Sequence, residues 1–97
     1  MRESEFQKKF IDKVKKAVPG CIALKNDAQY KQGIFDWSVI NGPKVACLEI
    51  KIEQDAHHQP NQDYYIEQVN SKGGYGRFVY PENEKQILKE VVEFLNN

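Results

Sequence analysis

Ninety-seven residues with fourteen basic and fourteen acidic side chains make a chain of zero formal net charge at pH 7, without the basic excess that usually marks a nucleic-acid binder. That length suits one core burying roughly two-thirds of the unfolded surface, and 40% hydrophobic with 11% aromatic residues excludes a disordered or fibrous chain. The apolar runs are short and the N-terminus is charged from Arg2 onward, so neither a membrane span nor a signal sequence is expected, and a soluble, cytoplasmic protein is.

Ser4 followed by Gln7 has the form of a capping box. Phe6, Phe10, Val14 and Val18 then recur every four residues until Pro19-Gly20, which predicts an amphipathic helix over 3–18. Cys21 to Lys25 reads as a short strand, and the polar stretch Asn26 to Gln32 as a loop. Cys21 and Cys47 are expected as reduced core residues. Ile34 to Ile40 and Lys44 to Glu53, joined by Asn41-Gly42-Pro43, predict a β-hairpin. Its second strand alternates: Cys47, Glu49, Lys51 and Glu53 point to one face, Leu48, Ile50 and Ile52 to the other.

Pro60 suits the first turn of a helix in which Gln62, Ile66 and Val69 share a face until Gly73-Gly74. Tyr75 to Tyr80 is a last strand. Asn83 with Gln86 repeats the capping pattern ahead of a closing helix striped with Ile87, Leu88, Val91, Val92 and Leu95. The order is αβββαβα, an α/β chain with a mixed central sheet flanked by helices; periodicity does not give the strand order.

Asp36 on the first hairpin strand can face Glu49 on the second, and Lys51 follows two residues later on the same side. Two carboxylates can hold a hard divalent cation, and a lysine beside them can reach a water or a phosphate. An exposed sheet face with cross-strand ion pairs, each worth at most about 1 kcal/mol, is the plainer account of Glu-x-Lys alone. Helices on both sides of the sheet would make such solvated charges less natural.

Gly33-Ile34-Phe35-Asp36 followed by Cys47-Leu48-Glu49-Ile50-Lys51 resembles the PD-(D/E)XK nuclease superfamily, and more closely its small stand-alone VRR-NUC domains and the related Holliday-junction resolvases. The resemblance covers nearly the whole chain. It implies a restriction-endonuclease-like fold and a metal-dependent endonuclease for DNA, selective for branched or four-way-junction structures and leaving a 5′-phosphate and a 3′-hydroxyl. It further implies that Asp36, Glu49 and the backbone carbonyl of Ile50 bind Mg²⁺, with Mn²⁺ as substitute, while Lys51 acts on the attacking water. Phe35 stands where the family has proline, which weakens the motif more than the chemistry.

The family's N-terminal helix carries a Glu. Glu3 lies near the centre of the stripe of Phe6, Phe10 and Val14 at about 100° per residue, and Glu5 on the far side; Glu3 is chosen, as a catalytic and possible indirect metal residue. Gln62 matches the family's Gln at the start of the next helix and shares a face with Ile66 and Val69, so it is expected to point inward.

His57-His58 reads as solvated, and Lys25 as a surface lysine able to approach DNA. Lys8, Lys9, Lys13, Lys15 and Lys16 read as a solvated helix face, and Tyr64, Tyr65 and Tyr80 as core or interface aromatics. Gly73-Gly74-Tyr75-Gly76 follows a helix, so it ends that helix and is no phosphate loop. The apolar closing helix, with Phe94 added to its stripe, suggests a homodimer. A non-catalytic DNA-binding module and a protein-interaction domain are the competing functions.

Overall fold

The computed structural model describes residues 1–53 and 61–97. In chain order these form α1 (Glu3–Ala17), β1 (Ile22–Lys25), β2 (Trp37–Asn41), β3 (Lys44–Ile50), α2 (Gln62–Ser71), β4 (Tyr75–Val79) and α3 (Glu84–Asn96). The strands make one sheet in the order β1-β2-β3-β4. β1–β2 and β2–β3 are antiparallel, and β4 joins β3 parallel after the crossover through α2. The molecule is thus an α/β structure with a mixed sheet. His57-His58 and Pro60 lie outside the described residues.

α1 follows the four-residue apolar spacing and lays Phe6, Phe10, Ile11 and Val14 onto the sheet. It ends where Val18 N–H bonds the Val14 carbonyl at 2.9 Å and Pro19, with no N–H to give, stops the ladder. The expected capping box does not form. Arg2 is the N-cap, without a side-chain bond, and Gln7 is turned inward, only 5% exposed.

On one face of the sheet α1 and α3 pack side by side against Val39, Ala46, Leu48, Ile50 and Val79. Phe10 is completely buried there, and removing such a ring typically costs about 3–5 kcal/mol. Ile87, Val91 and Leu95 of α3 are buried in the same cluster, and Leu88, Val92 and Phe94 pack against it. The stripe that suggested a second copy is therefore covered by its own sheet and by α1, and its apolar area carries no argument for a dimer. Asn83 does not cap α3 through its side chain: its Oδ1 accepts from Tyr80 N at 2.7 Å and its Nδ2 donates to the Phe78 carbonyl. Gln86 bonds Glu90 instead of reaching back.

On the opposite face α2 covers β3 and β4. Gly76 makes this approach possible, since a Cβ there would meet the Ile66 carbonyl oxygen at 3.3 Å. The helix ends at Gly73, whose φ of +85° suits the left-handed residue that closes a helix, and Gly74 N–H bonds the Val69 carbonyl at 2.9 Å. Among the described residues no helix covers β1 and β2 on this side, contrary to the expectation of a sheet covered by helices, and Ile22, Leu24 and Val45 are exposed. Cys47 is buried, and its thiol is pushed up to about 11 by that burial. Cys21 precedes β1 and is half-buried; both cysteines are free. Of the tyrosines expected in the core or at an interface, Tyr64 is 55% exposed and so is no core residue, whereas Tyr80 is buried. Among the described residues no helix is long and apolar enough to cross a membrane.

Candidate functional site

Both hairpin strands are shorter than the β-rich runs suggested. Asp36 sits at a bend immediately before β2, not on the strand, and Lys51 lies just past the end of β3. Register still brings the acids together, because Trp37 pairs with Leu48 and the preceding residue, Asp36, falls alongside Glu49. Lys51 is fixed by its own N–H, which continues the parallel ladder to the Val79 carbonyl at 2.9 Å.

The loop before Asp36 is tied at its base by Asn26. The Asn26 N–H bonds the Asp36 carbonyl at 2.8 Å, and its amide donates to Phe35 O and Ser38 Oγ, both at 3.0 Å. Lys31 from this loop lies over the Tyr65 ring of α2 at 5.3 Å. A cleft of about 350 Å³ opens between the loop, the ends of the strands and the start of α2. Its lining comprises Glu3, Ala28, Gln32, Gly33, Ile34, Asp36, Glu49, Lys51 and Gln62. The five side chains singled out in the sequence, Glu3, Asp36, Glu49, Lys51 and Gln62, thus border one space.

Each is held differently. Glu3 is exposed and accepts the Ile52 N–H at 3.2 Å; Glu5 does not border the cleft. Gln62, the first residue of α2, is 5% exposed and follows Asn61, which enters the helix with φ +75°. Lys51 is 7% exposed.

Glu49 is wholly buried, and among the described residues neither carboxylate oxygen has a hydrogen-bond donor. Burial, the neighbouring Asp36 as hydrogen-bond partner, and its charge push the Glu49 carboxyl up to about 9. Lys51 and Lys25 pull the other way and do not compensate. A proton on Glu49 would be the donor between the two acids, which is how the neighbouring Asp36 raises the Glu49 pKa.

Asp36 is oriented by two donors on one oxygen: Gln7 Nε2 and Ile50 N–H each reach Oδ2 at 3.1 Å. Oδ1 is left for other partners, with Lys25 Nζ at 3.9 Å. The Ile50 carbonyl, expected by resemblance as a further metal ligand, accepts Gln7 Nε2 at 2.9 Å, which leaves one lone pair for anything else.

Gln7, read in the sequence as a capping residue, is instead the hub of this site. Its amide donates to Asp36 and to Ile50, while its Oε1 accepts from Lys25 Nζ at 2.5 Å and from Trp37 Nε1 at 3.0 Å. Two donors and two acceptor positions are all filled. The amide has one workable orientation, because the flipped group would set N–H against an ammonium and an indole N–H, and oxygen against a carboxylate and a carbonyl. Lys25, read as a surface lysine, belongs to the same network.

The donor set suits a small hard cation. Mg²⁺ is commonly bound by one or two carboxylates with the rest of its shell left to water and substrate phosphate, and a buried Glu49 beside an oriented Asp36 meets that need. Among the described residues no group of three His, Cys, Asp or Glu side chains could hold a metal unaided. Comparisons of the chain with family models, with curated proteins and with solved structures found no match.

Proposed function

We propose that this chain is a metal-dependent endonuclease that hydrolyses phosphodiester bonds in DNA, selective for branched or junction structures, on a restriction-endonuclease-like fold. One observation carries the reading: Glu3, Asp36, Glu49, Lys51 and Gln62 line one cleft, and the most buried of them, Glu49, has no donor for either oxygen among the described residues. Ion pairing across an exposed sheet face, the plainer account, leaves no reason to bury a carboxylate beside another carboxylate.

Asp36 and Glu49 would hold Mg²⁺ or Mn²⁺, with Glu3 acting through water at the rim. Bound there, the cation supplies charge neutralisation for the phosphate and lowers the pKa of a water. Gln7 keeps Asp36 Oδ1 turned away from its own bonds. Glu49 must give up its proton to join in, and the Lys51 ammonium favours that ionised form. Lys51 then stands beside the acids with donors for the attacking water or a phosphate oxygen. Gln62 offers an amide at the cleft wall for orienting either. Hydrolysis would leave a 5′-phosphate and a 3′-hydroxyl.

The test is incubation of labelled duplex, flap and four-way-junction DNA with the protein, with and without Mg²⁺, beside Asp36→Asn. Mg²⁺-dependent cleavage lost in the variant supports the reading. Binding without cleavage would favour a DNA-binding module instead, and neither binding nor cleavage would overturn the nucleic-acid reading.

A further inference from the structure

A second cleft, of about 400 Å³, runs between α1 and the β1–β2 hairpin and is lined by Lys8, Ile11, Asp12, Lys15, Ala23 and Trp37. The four α1 residues share a face because positions three, four and seven apart stack along a helix. The floor is apolar: Ile11 belongs to the core, and Ala23 and Trp37 pack against it. The rim is polar and exposed, with Lys8 and Lys15 outnumbering Asp12.

Trp37 links this groove to the carboxylates. Its Nε1 donates to Gln7 Oε1, and the amide of Gln7 donates to Asp36 Oδ2. Lys25 Nζ, bonded to the same Gln7 oxygen, lies 5.5 Å from the Trp37 ring centroid.

We propose that this groove receives one unpaired nucleotide of the nucleic-acid substrate, its base on the floor at Trp37 and its flanking phosphates at Lys8 and Lys15. The proposal rests on the nucleic-acid reading of the other cleft and narrows it: the substrate presents an unstacked base, received at the residue that follows Asp36 and is joined to it through Gln7. An apolar floor with an aromatic ring accepts the face of any base, and the lysine rim supplies counter-charge for the backbone. In an intact duplex the base faces are stacked on each other and unavailable, whereas flaps, junctions and single strands expose them. An acidic peptide would match the lysines and leave the indole floor unused.

Trp37 is the single tryptophan of the chain, so its emission reports on the groove. The wild-type protein in EDTA is titrated with a dye-labelled oligothymidylate and, separately, with a blunt duplex of equal length, following dye anisotropy for binding and Trp37 emission for the groove. The single strand is expected to bind and to quench the emission by about half, and the duplex to leave it nearly unchanged. Lys8→Glu combined with Lys15→Glu should weaken single-strand binding about tenfold and abolish the quenching, with unchanged circular dichroism. Single-strand binding with steady Trp37 emission, or equal quenching by heparin, would overturn the groove assignment while leaving the nuclease reading standing. Absence of single-strand binding would also overturn the groove assignment, and the nuclease reading is then decided separately by Mg²⁺-dependent cleavage of flap and junction DNA.

Discussion

Gln7 and Asp36, 29 positions apart, meet through a 3.1 Å hydrogen bond that occupies Oδ2 of the carboxylate. Gln7→Leu removes that bond and leaves the Ile50 carbonyl and the Trp37 N–H short of a partner, so unfolding free energy should fall by about 1–3 kcal/mol. Gln7→Glu keeps the size but loses both donors and sets a third carboxylate against Asp36. Both variants should also bind Mg²⁺ more weakly, read by titration calorimetry. Gln7→Glu with wild-type metal affinity and wild-type cleavage would show that the hub is structural only.

Asp36→Asn and Lys51→Met should each lower cleavage by about a hundredfold or more, the scale on which single groups stabilising developing charge act. Lys51 is nearly buried, so methionine, which keeps most of the stem, is the better replacement. The two should part on metal affinity. Asp36→Asn would lose a proposed ligand and bind Mg²⁺ weakly, while Lys51→Met, which keeps both carboxylates, should lose much less affinity.

Glu49 makes stability depend on pH in a definite direction. Its folded-state pKa, raised to about 9 from 4.5, means that the folded protein holds a proton which the unfolded chain releases. The associated stabilisation is fully present below about pH 4.5 and drains away as the pH rises to about 9. In EDTA, Tm should therefore fall across this window, by about 4–8 °C for each kcal/mol lost, and Glu49→Gln should flatten the slope. Mg²⁺ uptake at pH 7 should expel a proton, visible as a binding heat that changes with the ionisation enthalpy of the buffer. Identical heats in phosphate and Tris would contradict this.

Glu3 and Glu5 are both exposed, so changing either to Gln should leave the fold intact. Activity should separate them: about a tenfold loss for Glu3→Gln, which borders the cleft, and little for Glu5→Gln. The reverse pattern in single-turnover assays would reassign the helix carboxylate.

The element order and the pairing of the two acids were legible because the apolar period and the hairpin turn determine them. At Gly42, φ is +61°, the backbone that a two-residue hairpin loop asks of glycine at its first central position, and that loop fixes the register placing Asp36 by Glu49. Strand ends were not legible, since Asp36 and Lys51 have the composition of their strands but lie where pairing stops. Gln7 was missed for a different reason. Ser4-x-x-Gln7 matches a capping box, and the local pattern masked the phase: at about 100° per residue, Gln7 falls between Val14 and Val18, inside the apolar stripe. The same construction that selected Glu3 marks it as a polar residue pointed at the core. Lys25 carried no such signal, because an edge strand with an exposed face makes a lysine unremarkable.

The clasp that Asn26 makes around Phe35, Asp36 and Ser38 separates two jobs that one segment would otherwise share. With the loop closed at its neck, residues 27–35 can change sequence without moving the aspartate, and doubling such a loop costs only about 0.6 kcal/mol in closure entropy. The cleft wall formed by Ala28, Gln32 and Ile34 is therefore exchangeable. If the proposed function holds, grafting other loops onto this neck would vary which nucleic-acid shape is admitted while Asp36 and Glu49 stay in register.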